Sequence, residues 1–197
     1  MDIKIVKLEQ NLVNDYINFF DTTPHSEKPD IDDCKCYCVW WCSDDSEGKD
    51  YFTLEKRRNY AIEYVKKNII QGYLAYFNNE VVGWCNSNTK IDCLKCYCWR
   101  RFMQKLSAEE TNLDIKIKSI FCFTIKPEYR RKGISNMLLE RVCIDAKNDG
   151  FDYVEAYPNK IFENEVINFM GPYELFIKNG FTVCYETEEQ YIMRKKL

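Results

Sequence analysis

The chain has 197 residues, 46% of them hydrophobic and 15% aromatic, and carries a formal net charge of −3. This fits one domain with a core of its own, and it excludes a disordered chain and a general polyanion-binding surface, so nucleic acid is a poor partner class. No run approaches 18 consecutive apolar residues and "MDIKIVKLEQ" has no apolar signal core, so the expectation is a cytoplasmic protein without membrane association.

"IKIVKL" at the N-terminus reads as a strand, and the segment from Leu12 to Phe20 as a helix. "TPHSEKPD" breaks the pattern; the lone His25 within it reads as a surface loop residue. "CKCYCVWW" alternates by twos and predicts a strand. Apolar residues at helical spacing from Tyr51 to Ile70, Leu54, Ala61, Tyr64 and Val65 among them, predict a helix. "GYLAYF-NNE-VVGWC" predicts a hairpin, two aromatic or β-branched runs around a short polar turn. Residues 86–114 read as a long excursion with some strand character. "IKIKSIFCFTI" is a strand whose apolar residues on both faces suggest a central position. "FDYVEAYP" is another strand. "GPYELFIKNGF" is a short helix between Gly171-Pro172 and Gly180, and "FTVCYE" with "YIMRKK" forms an antiparallel pair. The order is mixed α/β with no boundary that demands a second domain.

The stretch "YRRKGIS", residues 129–135, needs a physical explanation. Ile134, Met137, Leu138 and Val142 begin a helix, so Arg130, Arg131 and Lys132 crowd its positive end, where exposed cations cost roughly 0.3–1 kcal/mol each. A bound phosphate would turn them into partners, since free backbone N–H groups converge at such a turn and Gly133 would let a ligand approach. A solvated basic turn is the other reading.

Arg130-x-x-Gly133-x-Ser135 matches the Q/R-x-x-G-x-G/A signature of the GNAT superfamily of acyl-CoA N-acyltransferases. "FTIKPEYRRKGISNMLLERV" resembles that family's strand, proline, basic turn and helix, and "ELFIKNGF" resembles its L-Y-x-x-x-G-F segment. The likeness is strong over residues 116–184 and thin before residue 72. A cysteine-rich stretch, "VVGWC" and "VEAYP" together resemble a little-characterised subgroup.

The resemblance implies one GNAT domain over residues 1–197, with a coenzyme core at about 116–184 and acceptor-side segments at about 20–114. Its fold is a mostly antiparallel sheet with a splayed parallel pair, flanked by helices. It implies acetyl-CoA as cosubstrate, its pyrophosphate held by the backbone of Arg131, Lys132, Gly133, Ile134 and Ser135 beside Arg130. Its pantetheine arm would lie along Phe123, Thr124 and Ile125, and the Ile125 N–H would polarise the thioester carbonyl. Ser135 departs from the usual Gly or Ala but is small, and its hydroxyl could reach a phosphate.

Two side chains depart from the family pattern. Ser119 stands where histone-modifying members carry a glutamate base, and Phe176 replaces the usual tyrosine acid. Glu155 is the substitute base expected from the resemblance, with Tyr157 on its face, an outward-facing glutamate on a half-exposed strand being the other reading; Tyr173 is the nearest alternative acid, unless solvent protonates the thiolate. The expected reaction is direct transfer of an acetyl group to a primary amine, on a small molecule or a peptide. A homodimer is compatible with such a chain. The alternative is a non-catalytic module that binds coenzyme A or a metal as a sensor. Seven acids against two lysines in residues 30–50 would suit a cationic acceptor, although solvated loop charge explains them as well.

"KCYC" occurs twice, at 35–38 and 95–98, among eleven cysteines, an odd count that disfavours a disulfide scaffold. Alternate residues on a flat strand stand about 6.6–7 Å apart, too far for two sulfurs each about 2.3 Å from one zinc. Small buried hydrophobes on strands are therefore the main reading, with no metal expected; a metal site and a redox role are the others.

Overall fold

The computed structural model describes residues 1–23, 35–42, 48–103, 115–164 and 167–197. His25, Cys34 and every acid of residues 30–50 except Asp50 lie outside the described residues.

Among the described residues seven strands form one sheet in the order β1-β2-β3-β4-β5-β7-β6. They are β1 (Lys4–Lys7), β2 (Gly72–Phe77), β3 (Glu80–Thr89), β4 (Ile117–Ile125), β5 (Tyr153–Ala156), β6 (Thr182–Glu186) and β7 (Tyr191–Lys196). All neighbours pair antiparallel except β4 and β5, which run parallel. The central place predicted for "IKIKSIFCFTI" is where β4 lies. Asn78 and Asn79, both with positive φ (49° and 64°), supply the left-handed turn that a tight β2–β3 hairpin requires.

Helix α5 (Ile134–Asn148) connects the parallel pair and packs Leu138, Leu139 and Val142 onto one sheet face, against Ala75, Val82, Ile120 and Val154. On the other face lie α1 (Val13–Thr22) and α2 (Leu54–Lys66), which bury Tyr16, Phe20, Tyr64 and Val65 against Leu74, Trp84 and Cys122. Thr53 starts α2 by accepting the Lys56 N–H, satisfying one of the donors every helix start leaves over. The mixed fold with helices on both sides and one parallel pair is the class expected from the sequence.

The cysteine-rich stretches differ from expectation. Residues 35–42 are not a strand: Tyr37 and Cys38 both have positive φ (46° and 53°) and lead into a 3-10 turn at Val39–Trp41. β3 runs on to Thr89, and two short helices follow, α3 (Lys90–Cys93) and α4 (Tyr97–Phe102). Alternating cysteines imitate a strand pattern because a cysteine carries too little bulk to mark which face is buried.

Candidate functional site

The site begins where the parallel pair ends. β5 pairs with β4 only from Ile117 to Ile120, against Tyr153 to Ala156, while β4 continues to Ile125. The Lys126 N–H donates to Val82 of β3 at 3.0 Å, so by strand alternation the N–H groups of Phe123 and Ile125 point the other way, into the gap that β5 leaves. The Phe123 N–H donates to the Phe169 carbonyl at 2.7 Å; the Ile125 N–H has no partner among the described residues.

Pro127–Tyr129 and the basic turn carry the chain from this edge into α5. Arg131 and Gly133 are both left-handed, with φ of 58° and 82°. Gly133 is the N-cap and offers no side-chain cap, and the first helical bond runs from the Met137 N–H to the Gly133 carbonyl. The N–H groups of Ile134, Ser135 and Asn136 are therefore left without an acceptor in the helix, at the positive end of its dipole. Arg130 is tied across the turn, its Nε donating to the Ile125 carbonyl at 3.3 Å.

The β4 edge and this turn line one cavity of about 350 Å³. Phe123, Thr124, Ile125, Arg130, Arg131, Gly133, Ile134 and Ser135 all border it. Lys132 does not; its Nζ sits over the Tyr129 ring, 5.2 Å from the centroid. The opposite wall, which the sequence reading missed, comes from Phe162, Asn168, Phe169, Gly171, Pro172 and Leu175. Among the described residues the lining contains no carboxylate, so the cavity pairs an apolar channel with two arginines and a row of free donors. That combination suits an elongated ligand with an anionic end.

Glu155 stands elsewhere. Its side chain is fully buried on the sheet and is not part of the cavity lining. Lys90 Nζ lies 2.8 Å from Oε1 and Arg194 Nε 2.5 Å from Oε2. The Tyr157 hydroxyl donates to Oε1 at 2.6 Å. Since Tyr157 spends its proton there, Ser119 Oγ, 2.7 Å away, donates to the phenol oxygen. Burial first, and then the Glu155 charge, push the Tyr157 phenol up. Glu155 thus lies outside the cavity lining with both oxygens engaged, which is not the placement expected of it as a base.

Tyr173, the first residue of α6 (Tyr173–Lys178), also lies outside the lining and packs on the Tyr191 ring with centroids 5.1 Å apart. Phe176 is fully buried beside Phe123 and Phe181, where a phenol would have to bury its hydroxyl.

The two "KCYC" stretches, distant in sequence, meet on the far side of the sheet, where Trp40 packs on Tyr97 with centroids 5.8 Å apart. Cys38, Cys93, Cys96 and Cys98 are buried. Cys36 Sγ accepts the Cys38 N–H at 3.3 Å, Cys38 Sγ accepts Trp84 Nε1–H at 3.3 Å and Cys96 Sγ accepts the Trp99 N–H at 3.4 Å. Burial pushes the thiols of Cys42, Cys93 and Cys98 well up, and that of Cys96 up to about 11. Among the described residues no group of three or more His, Cys, Asp or Glu is placed to hold a metal ion. No helix among them is long and apolar enough to cross a membrane.

Comparison with known proteins agrees with this architecture. The structure resembles an acetyltransferase of the GNAT family from Streptococcus pneumoniae (TM-score 0.55, 14% identity, 100% of this chain and 99% of that one). It also resembles the PaiA N-acetyltransferase from Thermoplasma acidophilum in complex with coenzyme A (TM-score 0.53, 19% identity, 100% of both chains). A third likeness is the ribosomal-protein-S5-alanine acetyltransferase from Vibrio fischeri (TM-score 0.54, 13% identity, 100% of this chain and 93% of that one). At such identities these establish the fold alone. No curated protein matches the chain in sequence. The family model described as the acetyltransferase (GNAT) family matches residues 36–164, well over half of the sequence, and the chain belongs to that family.

Proposed function

We propose that the chain transfers an acetyl group from acetyl-CoA to a primary amine by direct attack. The observation that carries this reading is the continuity of the β4 edge with the uncapped start of α5. Together they line one cavity that is basic at its turn end and apolar along its length. The pyrophosphate sits on the N–H groups of the turn, with Arg130 and Arg131 compensating its charge. The pantetheine arm then runs along the strand edge as an added strand would.

Direction fixes the order of contacts. An arm leaving the turn meets Ile125 first and Phe123 about 7 Å farther on. The Ile125 N–H therefore takes an amide carbonyl of the arm, and the Phe123 N–H takes the thioester oxygen. This moves the polarising donor two residues deeper than the sequence reading had it. In the reaction the amine lone pair attacks the thioester carbon, and the oxyanion is held by that N–H. The C–S bond then breaks and the thiolate departs, with an ordinary pKa near 8.5 that needs no dedicated acid at neutral pH. With no carboxylate among the described residues of the lining, the amine loses its proton to water.

The test is thiol release from acetyl-CoA with a panel of amines, followed across pH. The expected kcat/KM rises tenfold per pH unit up to the pKa of each amine, without an earlier plateau from a protein base. A plateau near pH 6–7 common to all amines would identify an enzymic base and overturn the solvent route. Coenzyme binding with no thiol release for any amine would leave a binding module instead.

A further inference from the structure

The donor that this reading assigns to the thioester is already taken. The Phe123 N–H is bonded to the Phe169 carbonyl at 2.7 Å, so a backbone carbonyl of the chain itself lies where a carbonyl of the ligand would go. The contact is built in. Gly171 closes a turn on Asn168, its N–H donating to the Asn168 carbonyl at 2.9 Å, and it adopts a left-handed φ of 94°. A Cβ at Gly171 would come within 3.1 Å of Phe176 and 3.2 Å of Phe123, tighter than ordinary packing, so close approach to β4 and the left-handed φ both favour glycine here.

Asn168 holds the turn from the other side. It is 6% exposed, and its Nδ2 donates to the Ile161 carbonyl at 3.2 Å. Its Oδ1 accepts the N–H groups of Glu163 at 2.9 Å and Asn164 at 3.3 Å. The Asn168 amide thus ties the residue before Phe169 to the preceding stretch, alongside the Asn168 N–H, which donates to the Asn164 carbonyl at 2.9 Å.

Resting on the coenzyme reading above, we propose that Asn168–Gly171 is an internal plug of the thioester end of the cavity. Asn168 is its positioning residue, and the acyl carrier must displace the Phe169 carbonyl from Phe123 to reach the reactive position. The two carbonyls compete for one N–H, so apparent affinity is reduced by the fraction of molecules in which the plug is out. A plug seated in about nine-tenths of molecules weakens binding about tenfold, and loosening it returns that factor.

Calorimetry with acetyl-CoA on the wild type, Asn168→Ala and Asn168→Asp tests this, together with the structure of the wild-type acetyl-CoA complex. The expected result is that Asn168→Ala binds about three- to tenfold more tightly and Asn168→Asp lies between the two. In the complex, Phe123 N and Phe169 O should be well separated. A role confined to lining the cavity predicts the opposite sign for Asn168→Ala. Wild-type binding with the Phe123–Phe169 bond intact overturns the plug alone, and it does so even if neither variant folds. Failure of both the wild type and a folded Asn168→Ala to bind acetyl-CoA removes the coenzyme reading, and the plug with it.

Discussion

Glu155 is compensated by Lys90 and Arg194 on either side, in a site closed to water. Removing one member of a buried ion cluster leaves the others charged without a counterion, at a cost of roughly 3–5 kcal/mol. Glu155→Gln keeps the shape and loses the charge, so it is expected to destabilise by about 3 kcal/mol in urea unfolding. Turnover per folded molecule should stay within a few-fold of wild type. A loss of turnover by 10²–10⁴ in a stably folded variant would restore its catalytic role.

Lys118 is the reverse case. Burial, and then the neighbouring Lys7, push its ammonium down to about 8, while Asp149 and Asp92 oppose the shift. In the unfolded chain the same group holds its proton up to about 10.4. Between those values the unfolded state binds more protons, so this group makes stability rise with pH from about 8 to about 10.4. Below 8 it is charged in both states and its burial is a standing cost. Lys118→Met should abolish that rise and raise stability at pH 7 by on the order of 1–3 kcal/mol. Urea midpoints of both proteins at pH 7 and pH 10 check the sign; equal slopes would rule the lysine out.

Among the elements, the turn into α5 carries the coenzyme reading. No atom lies within 4 Å of where a Gly133 Cβ would stand, so that methyl would project into open space at the mouth of the turn. Gly133→Ala is expected to cost about 1 kcal/mol in stability because of the left-handed φ, and to weaken coenzyme A binding at least tenfold. Unchanged affinity in calorimetry would move the pyrophosphate elsewhere. This turn was legible in the sequence because cations crowding a helix start call for an anion, and a glycine there calls for close approach. The hairpin was legible because period-two apolar runs flank Asn78 and Asn79. The second wall of the cavity was not, since it depends on what the Asn168 amide bonds to, and no periodicity encodes that. The stretch around Cys36 was misread because two left-handed residues, Tyr37 and Cys38, bend a sequence that alternates like a strand.

Over the whole molecule, most of the described thiols behave as small apolar groups that happen to carry sulfur. Apart from the exposed Cys184 they are shared among three hydrophobic clusters, and burial pushes up those of Cys42 and Cys93 near the two "KCYC" stretches. Elemental analysis of the purified protein is expected to give less than one zinc per chain, and a value near one would locate a site among Cys34 to Cys42 and Cys93 to Cys98. Since the described cysteines there do not lie on strands, the expectation rests instead on burial and on the lack of a ready ligand set among the described residues.

The sheet order β5-β7-β6 places a late segment, Tyr191–Lys196, inside the sheet, with β6 at the edge. As the chain leaves the ribosome, β1 to β5 can assemble neighbour by neighbour, but β5 keeps an open edge until residue 196 has emerged. Until then Arg194 is also missing, and Glu155 must wait with Lys90 as its only cation of the final pair. A chain in which β7 has not yet docked therefore presents an open β5 edge and a Glu155 carboxylate short of one of its two cations, the kind of species that holdase chaperones engage.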